Sequence, residues 1–341
     1  MKNKRAIIIS PLPLRPVKSG MQNTICLLNK YLIEKNYKVF FIHIKTKNKI
    51  DPVLNLEIDK NIIKKLKKKL NLKKIDLIFI NTSKILFQYK ELLFSKYRIF
   101  KTILVCHDLY YFRKKYFDKI NVKDKTKITF SEEKQVIKKV DFIIDFSKTE
   151  RDYLLKNDIP KKKLIKTNTP TSKFKMHRVT DNHRFDLVYI SSNWYQNHLS
   201  LKNLFNKIEV KNSNFKILIL GYSSIKNHKN IFVKSYSKQT LYNSKIGVAI
   251  MKNQTGRQTK IFEMLSAGLP VITNVNLSEY GLKKNFHYKF ADKKIKLSTQ
   301  INSLISNKHL KKKLSKNAYY WSQKNSFYRK AFDQINNQIL K

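Results

Sequence analysis

Ten short apolar runs, separated by polar turns and helical patterns, dictate how this chain can fold. In the first half they are AIIIS (6–10), KVFFIHI (38–44), DLIFIN (76–81), TILVCH (102–107) and DFIIDFS (141–147). In the second half they are DLVYIS (186–191), KILILG (216–221), IFVKSY (231–236), IGVAIM (246–251) and PVITNV (270–275). A strand with one wet face alternates apolar and polar residues. These runs are continuous, so both faces are buried, as in a parallel sheet covered by helices. Between them, residues 20–35 place Ile25, Leu28 and Leu32 on one helical stripe, and Thr129-Phe130-Ser131-Glu132 forms a capping box for a helix to Val140. Residues 308 to the end read as helical, rich in Tyr, Phe and Lys. The stretch 167–185 is turn-rich and carries neither period, so it separates the halves.

Strand–helix alternation with right-handed crossovers gives an α/β fold of two Rossmann-like, doubly wound domains facing a cleft. A chain of 341 residues also favours two cores over one. The expected organisation is a first domain over 1–170, a linker over 171–185, a second domain over 186–320, and a C-terminal helix over 321–341 packing back toward the first domain. Ligands in such folds sit at the carboxyl ends of the strands, and between two domains the cleft is the default site.

The charge is lopsided: 72 Lys+Arg against 23 Asp+Glu give a net +49. Such a field favours phosphate-bearing substrates, anionic membrane or nucleic acid. It has a second reading, because Gly (6) and Pro (7) are scarce while Lys, Asn and Ile abound, as an A/T-rich genome would dictate. Cys26 and Cys106 lie singly in apolar runs without metal-ligand spacing, which suits buried, reduced thiols. The opening MKNKRAIIISPLPL reads as a first core strand rather than a signal peptide. No run reaches the roughly 18 apolar residues of a membrane span. The expectation is a cytoplasmic protein, peripheral on a membrane at most.

A dinucleotide site would place G-x-G-x-x-G after the first strand. SPLPLRPVKSGMQNT holds one glycine, Gly20, which is either a turn residue or a point where backbone approaches phosphate at a helix N-terminus. The stretch TGRQTKIFEMLSAGLPVITN (255–274) is more informative. Arg257, Lys260 and Glu263 share one helix face, Gly268 suits a left-handed cap, and Pro270 opens a strand. Two cations near the positive end of a helix are misplaced unless an anion sits there. The competing reading is a solvated polar stripe with a weak Lys–Glu pair.

GRQTKIFEMLSAGLPVITNVNLSEYGL resembles the donor-binding segment of retaining glycosyltransferases with the two-domain GT-B fold, of the group 1, family 4 type. Lys260, Glu263, Gly268, Pro270, Glu279 and Gly281 match that family's order. TILVCHDLYYF, KLIKTNTP and LVYISSNWYQNHLSLKNLF resemble its His-Asp segment, its crossing stretch and the opening of its second domain. The first of the family's two glutamates falls on Thr255, and its Gly-Arg and Lys become Ser191-Ser192 and Asn197. The resemblance implies a hexosyltransferase-type enzyme moving a sugar from a nucleotide-sugar donor to a saccharide or lipid-linked acceptor, in cell-surface polysaccharide, lipopolysaccharide or glycolipid assembly. It implies Lys260 on phosphate, Glu263 on ribose, and Gly20, Ser192, Asn197, Gly256 and Arg257 around the donor. His107 would stand beside the transferred sugar, although on its own it reads as a core histidine. No cofactor and no metal are expected, since cations and helix termini meet the phosphate charge.

Two basic stretches, DKNIIKKLKKKLNLKK (59–74) and YYFRKKYF (110–117), could lie on an anionic membrane surface or be solvated outer faces of sheet-covering helices. A sugar-nucleotide epimerase-like enzyme on the same fold is the nearer alternative. A nucleic-acid-binding protein is the more distant one, and no nucleic-acid partner is expected because no recognisable module appears.

Overall fold

The computed structural model describes residues 4–44 apart from 16 and 18, and residues 75–340 apart from 95–97, 108, 112–113, 115–117, 119–127, 181, 193–194, 210–213, 222–224, 226–228 and 252–257. All ten apolar runs form strands. The first sheet holds β1 (Arg5–Ser10), β2 (Lys38–His43), β3 (Leu77–Asn81), β4 (Lys101–Val105), β5 (Phe142–Asp145) and β6 (Leu164–Lys166). Its order is β2-β1-β3-β4-β5-β6, parallel throughout. The second holds β7 (Phe185–Ser191), β8 (Ile217–Gly221), β9 (Ile231–Lys234), β10 (Ser244–Ala249), β11 (Val271–Thr273) and β12 (Lys289–Phe290). Its order is β12-β11-β10-β7-β8-β9, again parallel. Strand order reverses between β1 and β3 in one sheet and between β7 and β10 in the other, so each sheet has a switch point where a crevice opens at the carboxyl ends.

The helices used below are α1 (Gly20–Glu34), α2 (Ser83–Gln88), α3 (Phe130–Lys138), α4 (Lys148–Lys156), α5 (Tyr195–Lys207), α6 (Lys238–Leu241), α7 (Thr259–Ser266), α8 (Lys308–Asn325) and α9 (Tyr328–Ala331). The capping box starts α3 as its sequence predicts: Glu132 N–H donates to Thr129 Oγ1 at 3.2 Å, and Glu132 Oε2 accepts from Thr129 N–H at 2.8 Å. The helix stops at Lys138, two residues before the expected Val140.

Successive residues of a strand enter different cores. Ile7 and Ile9 join one apolar cluster, and Ala6 and Ile8 another. Val188 and Ile190 part from Leu187 and Tyr189 in the same way. Both faces are dry, and that is why the runs are continuous. The chain end crosses over: Tyr328, Phe332, Ile335 and Ile339 pack with Ile25, Leu28 and Tyr31 of α1. Tyr328 Oη donates to Glu34 Oε1, and Arg329 Nε to Glu34 Oε2 at 2.9 Å. Strands β6 and β12 were not legible as runs, because three and two residues carry no period. Cys106 is buried, whereas Cys26 is only half-buried, its Sγ 2.8 Å from Leu14 O. No described helix is long and apolar enough to cross a membrane.

Candidate active site

Helix α7 begins beside the switch point of the second sheet, on the connection from β10 to β11. Its inward face buries Ile261, Phe262, Met264 and Leu265. Gly268 follows with φ +68°, the left-handed turn that glycine adopts without strain. That turn returns the chain into β11.

Spacing places Lys260 and Glu263 on one face, but tertiary packing gives them different partners. Lys260 is 8% exposed, so it is no solvated stripe. Its Nζ donates to Asn197 Oδ1 at 2.6 Å and to Tyr189 Oη at 3.0 Å, and lies 4.5 Å from the centre of the Tyr189 ring. Asn197 Nδ2 in turn donates to Ser192 Oγ at 2.7 Å. Ser192, Asn197 and Lys260 therefore meet, with Tyr189 as a fourth member that the motif did not point to. No carboxylate pairs with Lys260 among the described residues, and burial lowers its pKa from 10.5 to about 7. An ammonium has three N–H donors, and two are taken.

Glu263 is half-buried and faces the other domain. Its Oε1 accepts from Asn23 Nδ2 of α1 at 3.1 Å. Tyr236, just beyond β9, also hydrogen-bonds to it; burial first, then the Glu263 charge, pushes the Tyr236 hydroxyl upward. A second bridge lies nearby, where Glu279 Oε2 accepts from Lys148 N–H at 2.7 Å.

Gly20 opens α1, capped by Ser19, whose Oγ accepts from Gln22 N–H at 3.2 Å. Its bare Cα face rests on α7. A Cβ there would come within 2.5 Å of Thr259 Cβ. The glycine thus serves close approach of two helices, not only a turn. We expect a Gly20→Ala protein to fold normally, because alanine suits a helix start, but to hold the two domains apart. Small-angle scattering should show a larger radius of gyration than for the wild type; an unchanged radius would contradict the contact.

His107 lies two residues past β4 and is 5% exposed, its ring stacked on Phe146 at 5.4 Å. The segment that follows it is pinned by Glu133 of α3, a residue no sequence motif marks. Glu133 accepts from Ser83 Oγ at 2.5 Å, Tyr110 N–H at 2.7 Å and Tyr111 N–H at 2.9 Å. Burial pushes its carboxyl up, against the pull of these bonds. Gly256, Arg257, Asp108 and the basic stretch 59–74 lie outside the described residues, as do parts of 110–117.

A cavity of about 730 Å³ lies elsewhere. Arg151, Lys166, Lys324 and Lys330 line it together with Glu279, and none of the predicted donor residues does.

No protein family model and no curated protein sequence matches the chain. Solved structures do. Sucrose-phosphate synthase from Thermosynechococcus elongatus superposes with a TM-score of 0.75 at 13% identity, covering 98% of each chain. The fold is GT-B. Anabaena HepE, solved with UDP and glucose, gives a TM-score of 0.69 at 12% identity over 98% of this chain and 99% of its own. TarM of S. aureus, solved with fondaparinux, α-GlcNAc-glycerol and UDP, gives 0.59 at 16% over 82% of this chain and 58% of its own. In this GT-B chain the predicted donor residues Ser192, Asn197 and Lys260 are joined by hydrogen bonds within the second domain, and Gly20 and Glu263 lie where α1 of the first domain meets α7.

Proposed function

We propose that this chain is a nucleotide-sugar-dependent glycosyltransferase of retaining type, acting on a saccharide or lipid-linked acceptor in cell-surface glycan assembly. The observation that carries the reading is one helix, α7, that presents a buried lysine and a half-buried carboxylate where α1 of the facing domain meets it. A diphosphate is drawn to the N-terminus of α7 and to Lys260. The ribose hydroxyls donate to Glu263. In the transfer, the bond from the anomeric carbon to the diphosphate oxygen breaks, a bond to the acceptor oxygen forms, and the acceptor hydroxyl's proton passes to the departing diphosphate oxygen. Charge grows on the leaving diphosphate, where a preorganised cation and helix N–H groups stabilise it. This supports transfer without a metal. His107, two residues past β4 in the first domain, is assigned to the sugar. The UDP and glucose bound to HepE, and the glycans bound to TarM, support a UDP-sugar donor and a saccharide acceptor. The +49 charge supports a cytoplasmic protein resting on anionic lipid.

Calorimetry with UDP, GDP and CMP on wild type and Glu263→Ala tests this. Losing a charged hydrogen bond costs about 1.5–3 kcal/mol. UDP affinity should fall by about 10- to 100-fold in a folded Glu263→Ala protein, and unchanged affinity would remove the reading.

A further inference from the structure

Glu263 is held by groups from both domains. Asn23 lies on α1 of the first domain and donates to Glu263 Oε1 at 3.1 Å across 240 positions of chain. Tyr236 supplies a second hydrogen bond from its own domain, and Lys238, at the start of α6, adds a favourable charge. The cross-domain contact is not isolated. Gly20 sits three residues before Asn23, and Thr259 four before Glu263, so two pairs meet in register on facing helix turns. Both helices begin here. Closure of the cleft and the set of the Glu263 carboxylate are therefore one geometric event.

We propose that Asn23 is a positioning residue of the donor site: it fixes the Glu263 carboxylate from the opposite domain, so that ribose recognition requires the closed cleft. This rests on the reading of Glu263 as the ribose acceptor. A carboxylate offers about four lone-pair sites. Asn23 and Tyr236 bond to two of them and hold the rotamer. Freed from Asn23, the carboxylate loses a tie to the first domain and gains side-chain freedom. An aspartate at 23 would set carboxylate against carboxylate at hydrogen-bonding distance and drive the helices apart.

A double-mutant cycle on UDP affinity tests the proposal, with folding checked by circular dichroism. Asn23→Ala should weaken UDP binding about 5- to 10-fold, and Asn23→Asp by more, with a larger radius of gyration in UDP. Asn23→Ser, which keeps a short donor, should recover part of the loss. In a Glu263→Ala background, Asn23→Ala should add nothing. The proposal is overturned if Asn23→Ala leaves UDP affinity unchanged while Glu263→Ala lowers it, or if the two losses simply add. A Glu263→Ala protein that keeps its UDP affinity instead overturns the donor-site reading, and this inference with it.

Discussion

A Lys260→Met protein is expected to be no less stable than the wild type at neutral pH, yet to bind UDP about 100-fold more weakly. Burying an ammonium without a carboxylate costs several kcal/mol, and methionine fills the same space without that cost. The variant leaves Asn197 Oδ1 and Tyr189 Oη without their donor, which gives back about 1–3 kcal/mol for each group. Against a diphosphate the balance reverses, because a charged donor is lost at about 1.5–3 kcal/mol per hydrogen bond. The pH dependence supplies an independent signature. Lys260 has a folded-state pKa of about 7 against 10.5 when exposed. Between these values the unfolded chain holds more protons than the folded one, so this group makes stability rise as pH rises from about 7 to 10.5. Urea denaturation across that window should show the rise in wild type and its loss in Lys260→Met. UDP affinity should move the other way. It prefers the charged lysine, so wild-type affinity should fall as pH rises through about 7. A flat affinity profile from pH 6 to 9 would place the diphosphate away from Lys260.

Glu133→Ala should produce the largest loss of stability, about 3–5 kcal/mol by urea denaturation. Glu133 is 3% exposed and accepts three hydrogen bonds. Its removal takes an acceptor from the buried Tyr110 N–H and Ser83 hydroxyl and from the half-buried Tyr111 N–H, each at about 1–3 kcal/mol before the structure relaxes. The Tyr110 N–H keeps a longer bond to Ser83 Oγ at 3.2 Å, which softens the loss. The functional consequence differs from that of Lys260. The pinned segment begins three residues after His107, in the domain facing α7. Transfer should therefore fall at least tenfold while UDP affinity is spared, provided both are measured below the denaturation midpoint. A loss under about 1 kcal/mol would mean that the loop holds itself. UDP binding that collapses together with transfer would mean that the two domains share one structural fate.

The lysines mark the boundary between local and tertiary information. In a chain with 72 Lys+Arg, each lysine by itself reads as solvated. Lys84, Lys260 and Lys311 are nevertheless buried, at 0%, 8% and 1% exposure. Nothing in the neighbouring residues separates them from the rest, because burial depends on what packs over a side chain. Asn197 carries the same lesson. At that position the resembled family has a lysine, which here would set a second ammonium against Lys260 Nζ. The amide oxygen accepts from it instead, and that exchange becomes intelligible only when β7, α5 and α7 are brought together.

The amino-acid order alone settles whatever is written within a few residues. Strand runs buried on both faces must be continuous, a Thr-x-x-Glu box starts α3, and Gly268 must turn left-handed to return the chain into β11. The resemblance carried by residues 256–282 and the matching stretches adds the fold and the candidate donor residues; the structure joins Ser192, Asn197 and Lys260 by hydrogen bonds and brings Gly20 and Glu263 to the contact of α1 with α7. The order of strands in each sheet, the edge strands β6 and β12, and the pairings of Lys260 with Asn197, Gly20 with Thr259 and Asn23 with Glu263 emerge only from long-range packing. The last of these spans 240 positions of chain. Helix and turn preferences act over three or four neighbours, whereas these contacts exist only because two independently wound sheets, each fixed by its own crossovers, present their switch points to one another.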